Sequence, residues 1–500
     1  METTKKKFQM PSAYTILFII IALIAVLTWI IPAGHYKTTD AGNIIAGSFT
    51  QVASNPQGIW DVFMAPVNGM LGTDTTPAAI PISFFILMVG GFLGVVNHTG
   101  ALDAGVASIV KRFKGKEKML IPVLMSLFAL GGSTYGMAEE TLPFYVLIIP
   151  VMIAVGFDTV TAVAIVLVGS QVGCLASTVN PFATGVASNA VGISMGQGIG
   201  LRFFMLIVLT TISILYVMRY ASKIEKDPTK SLVYNTREAD RKHFDIDSIE
   251  NQADITSRQK WVNGIFFATF VIMIISLVPW DMLNENFTFF DNATKWLVGI
   301  PGLGVLLGKG MAPLGTWYFP EITMLFIVMA LVVAVAYRMK ESEFISAFMA
   351  GANDMIGVAI VVAVARGIQV VMNNGMITDT ILHWGEQGLH GLSSSVFIIL
   401  TFLFYLPMSF LIPSTSGLAA ATMGIMGPMG EFAHVSKDLV ITAYQSASGI
   451  LNLITPTSAV VMGALAIARF NIGTWWKFMA KLIVIQMVVI MIILGVAAVL

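Results

Sequence analysis

The sequence predicts an all-α polytopic membrane protein built from two inverted-topology repeats. Three observations carry that expectation: the composition, the side on which positive charge falls, and four short motifs that recur in order half-way along the chain. Of 500 residues, 56% are hydrophobic and 11% charged, against about 25% charged in soluble domains. So few charges cannot cover a water-facing exterior of this size, and the mean hydropathy of +0.82 agrees. The 28 basic and 28 acidic residues cancel, so no net field draws the chain to nucleic acid. The single cysteine, Cys174, can form no internal disulfide. The absence of H-E-x-x-H, C-x-x-C and phosphate-loop motifs argues against metal hydrolysis and ATP drive. The expectation is a protein that is no enzyme and holds no cofactor, with Na⁺ or H⁺ as candidate coupling ions.

Segments 12–31, 79–97, 158–194, 203–220, 261–280, 318–338, 355–373, 437–468 and 478–499 are each apolar and long enough to cross hydrocarbon about 30 Å thick. The first follows METTKKKFQM and is too long for a signal-peptide core, so it reads as a retained span. Stretches 119–157 and 392–433 are each interrupted mid-way by a polar, glycine-bearing kink, so each is either two full spans or one hairpin, and the expectation is a pair of hairpins entering from opposite faces. Nine crossings with a cytoplasmic N-terminus and an external C-terminus put 22 of the 28 Lys and Arg inside, among them Lys5–Lys7, Lys111 to Lys118 and Arg219 to Lys260. The charge-rich stretch 221–260 reads as a cytoplasmic linker. It separates a first repeat, 1–220, from a connecting span and external loop, 261–317, and a second repeat, 318–500.

The halves match at offsets of 275 to 285. Phe63–Met70 pairs with Phe348–Met355, Val95–Gly100 with Val370–Gly375, Ser133–Thr141 with Ser414–Thr422, and the surroundings of Pro181 with those of Pro456. Inverted repeats with discontinuous helices place substrate near mid-membrane, and irregular backbone is tolerated there only around a protein-lined cavity. The hairpin tips are expected at 131–136 and 413–417, and the helix breaks at 177–184 and 452–458. Asn180 before Pro181, and Thr455 before Pro456, read as N-caps followed by proline at the first helical position. Each should start a half-helix whose N-terminus attracts an anion.

Candidate substrate-binding residues are therefore Ser133, Thr134, Gly136, Glu139 and Glu140 at the first tip, and Asn180 and Thr184 at the first break. The second half supplies Ser414, Thr415, Ser416 and Gly417 at its tip, with Asn452, Thr455, Thr457 and Ser458 at its break. Ser177 and Thr178, with Glu139 or Glu140, are candidates for a coupling ion. The acidic pair stands where the second half has Ala420 and Ala421, and either offsets a helix dipole, carries a proton or faces a cationic substrate group. Arg366, the one basic residue inside a span, pairs with one of these acids, with Asp354 or with backbone carbonyls. His98 and His390 read as interfacial.

The stretches KKKFQMPSAYTILFIIIALIAVLTWIIPAGHY, GGSTYGMAEET and NLITPTSAVVMGALAIA resemble the YfcC-type branch of the C4-dicarboxylate anaerobic carrier-like family, over essentially the whole chain. That family resembles the wider ion-transporter superfamily of dicarboxylate/sodium symporters. The resemblance implies two re-entrant hairpins, two unwound helices, an elevator motion, a homodimer and a bacterial cytoplasmic membrane. Those symporters carry Ser-Asn-Thr at each tip, whereas this chain has Ser133-Thr134-Tyr135 and Ser414-Thr415-Ser416. The branch is labelled for basic amino-acid transport or antiport. Two functions follow as expectations: a secondary transporter of a basic amino acid such as arginine or ornithine, or a carrier of C4-dicarboxylates and related organic anions.

Overall fold

The computed structural model describes residues 13–37, 45, 47–102, 104–105, 116–246, 255–278, 280, 287–389 and 391–500. Lys5–Lys7, most of the basic run from Lys111, and His390 lie outside them, as does the side chain of Pro181. The chain is mainly helical. In order come α1 (Ala13–Ile30), α2 (Ile59–Leu71), α3 (Ile80–His98), α4 (Leu120–Tyr135), α5 (Leu142–Ala154), α6 (Thr159–Leu175), α7 (Val186–Val191) and α8 (Ile199–Lys226). Then follow α9 (Arg237–His243), α10 (Ser257–Leu277), α11 (Phe289–Gly299), α12 (Leu303–Leu307), α13 (Phe319–Tyr337), α14 (Glu341–Asp354) and α15 (Ile356–Asn374). The chain ends with α16 (Thr378–Leu389), α17 (Ser394–Leu411), α18 (Thr415–Phe432), α19 (Lys437–Asn452), α20 (Ala459–Ala468) and α21 (Ile472–Ala497). Among the described residues, eight helices are long and apolar enough to cross a membrane: α3, α4 with its leading turn, α8, α10, α13, α15, α17 and α21.

Local chemistry sets many of the helix starts. Asp158 caps α6 by accepting from Thr161 N at 2.8 Å. Thr256 and Gln259 form a capping box on α10, and Asn471 caps α21 by accepting from Thr474 N at 2.9 Å.

The helices pack in two groups. In the first, α14 lies on α3 and α2 on α15, while α13 covers α3 and α1 covers α15. These crossings are closed by small residues. A Cβ on Gly351 would meet the Gly90 carbonyl oxygen at 2.2 Å, one on Gly94 the Ala347 oxygen at 2.3 Å, and one on Gly69 the Ala363 oxygen at 2.6 Å. Helices approach this closely in a bilayer because backbone contact replaces the hydrophobic drive that lipid removes. In the second group α4 lies on α6, α17 on α19, α18 on α7 and α20 on α5, with α8 and α21 outside α4 and α17. The groups meet mainly where α15 touches α20 and α3 touches α5.

Three local expectations are corrected. Residues 131–135 are the last turn of α4, not the tip, and the reversal falls on Gly136, Met137 and Ala138, with Gly136 at φ +76°. Ser133 and Thr134 therefore precede their turn, whereas Ser414 caps the helix that follows its own by accepting from Gly417 N at 3.2 Å. Thr455 caps nothing. Its hydroxyl bonds Thr457 Oγ1 at 2.8 Å and accepts from Thr457 N at 3.3 Å, and α20 starts only at Ala459 with Ser458 as cap, because Pro456 is followed by two more non-helical residues. Asn452, expected in the second break, is the last residue of α19.

Candidate functional site

Both breaks lie in the second packing group, and hydrogen bonds pin each in place. After Leu175 the backbone leaves the helix and restarts at Pro181. Asn180 Oδ1 accepts from Phe182 N at 2.9 Å and Ala183 N at 3.3 Å, and its amide donates to Ser177 Oγ at 3.0 Å. The Ser177 carbonyl freed by the break accepts from Gln445 Nε2 at 2.9 Å. At the second break the Leu453 and Ile454 carbonyls accept from the indoles of Trp475 at 2.7 Å and Trp476 at 2.8 Å. Freed carbonyls at depth need such partners.

A cavity of about 160 Å³ opens between the two turns and the two breaks. Ten of the predicted residues line it: Gly136, Glu139, Glu140, Asn180, Ser414, Thr415, Ser416, Asn452, Thr457 and Ser458. Glu140 is buried, and its Oε2 accepts from Ala138 N at 3.0 Å. Asn452 donates to Thr415 Oγ1 at 3.4 Å, joining the second tip to the second break.

The other predicted residues stand behind this wall. Ser133 clamps α4 to the first break, its hydroxyl 3.0 Å from Thr178 Oγ1 and its carbonyl accepting from Thr178 N at 3.0 Å. Thr184 donates to Gln445 Oε1 at 2.9 Å. Thr134 donates to its own helix at Leu130 O, 2.7 Å away. The hydroxyl of Ser177 donates to the Cys174 carbonyl. Ser177 and Thr178 are thus engaged within the protein, and neither they nor Gly417 and Thr455 border the cavity.

Sequence reasoning left out part of the lining. Arg366 of α15 borders the cavity together with Glu139 and donates a 3.4 Å hydrogen bond to Gln369 Oε1. Asp354, the other acidic partner expected for Arg366, does not border the cavity. Ile82, Tyr318, Phe319, Val362 and Ala365 complete a wall contributed by the first packing group, and Gln171 and Cys174 add to the α6 side. Tyr318 packs on Phe182 with ring centroids 5.3 Å apart. The one available signal for this wall was Arg366 itself, a charge inside an apolar span.

A solute-sized, charged and polar cavity within a bundle of membrane-crossing helices is the anatomy of a membrane transporter. Residues 10–499 match the C4-dicarboxylate anaerobic carrier family, DcuC, and the chain belongs to that family. It is 30% identical to an uncharacterized protein of Haemophilus influenzae Rd, over 97% of this chain and 96% of the relative. It is 29% identical to the Escherichia coli K12 "Putative basic amino acid antiporter YfcC", over 96% of this chain and 94% of the relative. Two solved structures align at 15% identity: Neisseria gonorrhoeae MtrF, of a class of antimetabolite efflux pumps, with TM-score 0.43 over 98% of this chain and 95% of that one, and the Alcanivorax borkumensis YdaH transporter, with TM-score 0.44 over 97% and 98%.

Proposed function

We propose that this protein is a secondary active transporter of an amino acid with a basic side chain, arginine- or ornithine-like, working across the cytoplasmic membrane by exchange or ion-coupled symport. The observation that carries the reading is the pairing of two carboxylates, Glu139 and Glu140, with one guanidinium, Arg366, around one cavity. A charge at membrane depth costs about 2.5–3.5 kcal/mol even on the gentlest scale, so such a set is retained where a ligand uses it. A zwitterion with an extra cationic end answers both signs. The capped starts of α18 and α20 suit its α-carboxylate, and the glutamates suit its side chain. The name of the Escherichia coli relative agrees.

Arg366 and the family's name also favour a second reading, a C4-dicarboxylate. Two glutamates in the same cavity oppose a dianion. Counterflow of labelled arginine into proteoliposomes separates the two: competition by ornithine and lysine, and none by succinate, is the expected result. Competition by succinate alone would sink the basic amino acid. Within the site, Glu139→Gln or Glu140→Gln should weaken arginine far more than a neutral amino acid.

The same reading takes residues 1–220 and 318–500 as inverted repeats. Its support is the exchanged packing: the helices preceding α3 lie on α15, those preceding α15 lie on α3, and each hairpin's second arm meets the broken helix of the opposite half. Two packing groups with the cavity between them also suit an elevator motion of one against the other.

A further inference from the structure

From the placement of Arg366 we infer that it is the residue that reads the substrate's carboxylate, and that Glu139 is the counter-charge it faces when the cavity is empty. This rests on the transporter reading above and adds to it a specificity determinant and its resting partner. Arg366 belongs to α15, in the packing group of α1–α3 and α13–α15, whereas Glu139 follows the turn after α4 in the other group. The two opposite charges border one cavity from the two sides of the seam.

The guanidinium is poorly engaged by the protein itself. Among the described residues its one hydrogen bond, to Gln369, is 3.4 Å long, at the far limit of hydrogen-bond geometry. A guanidinium presents five donors in a planar fork suited to bidentate capture of a carboxylate. An entering carboxylate therefore competes with Glu139 for Arg366, and the displaced Glu139 is left facing the substrate's cationic end. Substrate thus bridges the seam with two charge-matched contacts. Opposite charges at membrane depth also explain how the empty cavity tolerates its ions, since each is the other's neutraliser.

The test uses the full chain, with L-arginine and agmatine, which is arginine without its carboxylate, as competitors in counterflow. In wild type, arginine should compete better by about tenfold or more, the order expected of a charge-assisted hydrogen bond. Arg366→Gln should close that gap by weakening arginine and leaving agmatine unchanged, and Arg366→Lys should keep part of it. Equal weakening of both competitors overturns the carboxylate role. The pairing is tested without substrate, by melting of the detergent-solubilised protein. Arg366→Gln and Glu139→Gln should each lower the midpoint, and the double variant should recover most of the loss, because each single change strands a charge. Additive losses overturn the pairing. If succinate competes in wild type and arginine does not, the amino-acid reading falls. Arg366→Gln should even then weaken succinate by about tenfold, and an unchanged succinate affinity overturns the carboxylate role.

Discussion

Gly136→Ala tests the link between the first turn and the first break. Gly136 sits at φ +76°, and a Cβ there would lie 2.6 Å from Asn180 Oδ1 and 2.9 Å from its Cγ and Nδ2. Alanine in the left-handed region costs about 1–2 kcal/mol, and driving Asn180 off Phe182 N and Ala183 N removes a cap worth about 1 kcal/mol. The combined effect is about 2–3 kcal/mol. Where it falls on the substrate-bound state, affinity should drop roughly thirty- to hundredfold, at about 1.4 kcal/mol per factor of ten. Gly192→Ala is the control. Gly192 has φ +69°, nothing lies within 4 Å of its added Cβ, and it does not border the cavity. It should lose stability through the backbone alone and keep wild-type affinity. Counterflow titrations of both variants, paired with thermal unfolding, give the comparison. If the two variants behave alike in affinity, the turn does not organise the cavity through Asn180.

Three further outcomes are expected. Ser458→Ala should weaken substrate more than Thr455→Ala does, because Ser458 caps α20 and borders the cavity while Thr455 bonds only its neighbours; the reverse order in counterflow would restore Thr455 as the cap. Gly351→Leu should abolish folded protein, judged by monodisperse elution in detergent, since even a Cβ there meets a backbone oxygen at 2.2 Å and overpacking by single methylenes already costs about 1–3 kcal/mol. Lys230→Cys in a Cys174→Ser background should react with an impermeant maleimide only after the cells are opened; reaction from outside would overturn the cytoplasmic placement of 221–260.

Short-range chemistry was legible in the chain. Apolar runs predicted the helices, and prolines preceded by capping side chains predicted where two of them stop and restart. Asn180 caps its half-helix as expected, because a cap acts over two or three residues and needs nothing from elsewhere. Even at this range, competition among neighbouring hydroxyls was invisible: Thr455, Thr457 and Ser458 all have cap chemistry, and only the path after Pro456 decided for Ser458. Which polar groups face the cavity depends instead on how the helices pack. Ser133, Thr178 and Thr184 look identical in sequence to the lining residues, yet the crossing of α4, α6 and α19 uses up their hydrogen bonds with one another and with Gln445. Arg366, Tyr318 and Phe319 reach the cavity from helices of the other packing group, through glycine crossings such as Gly69 on Ala363 that set how closely α2 and α15 approach. Contacts between residues more than two hundred positions apart depend on how whole helix faces interlock, and no local pattern in the chain encodes that.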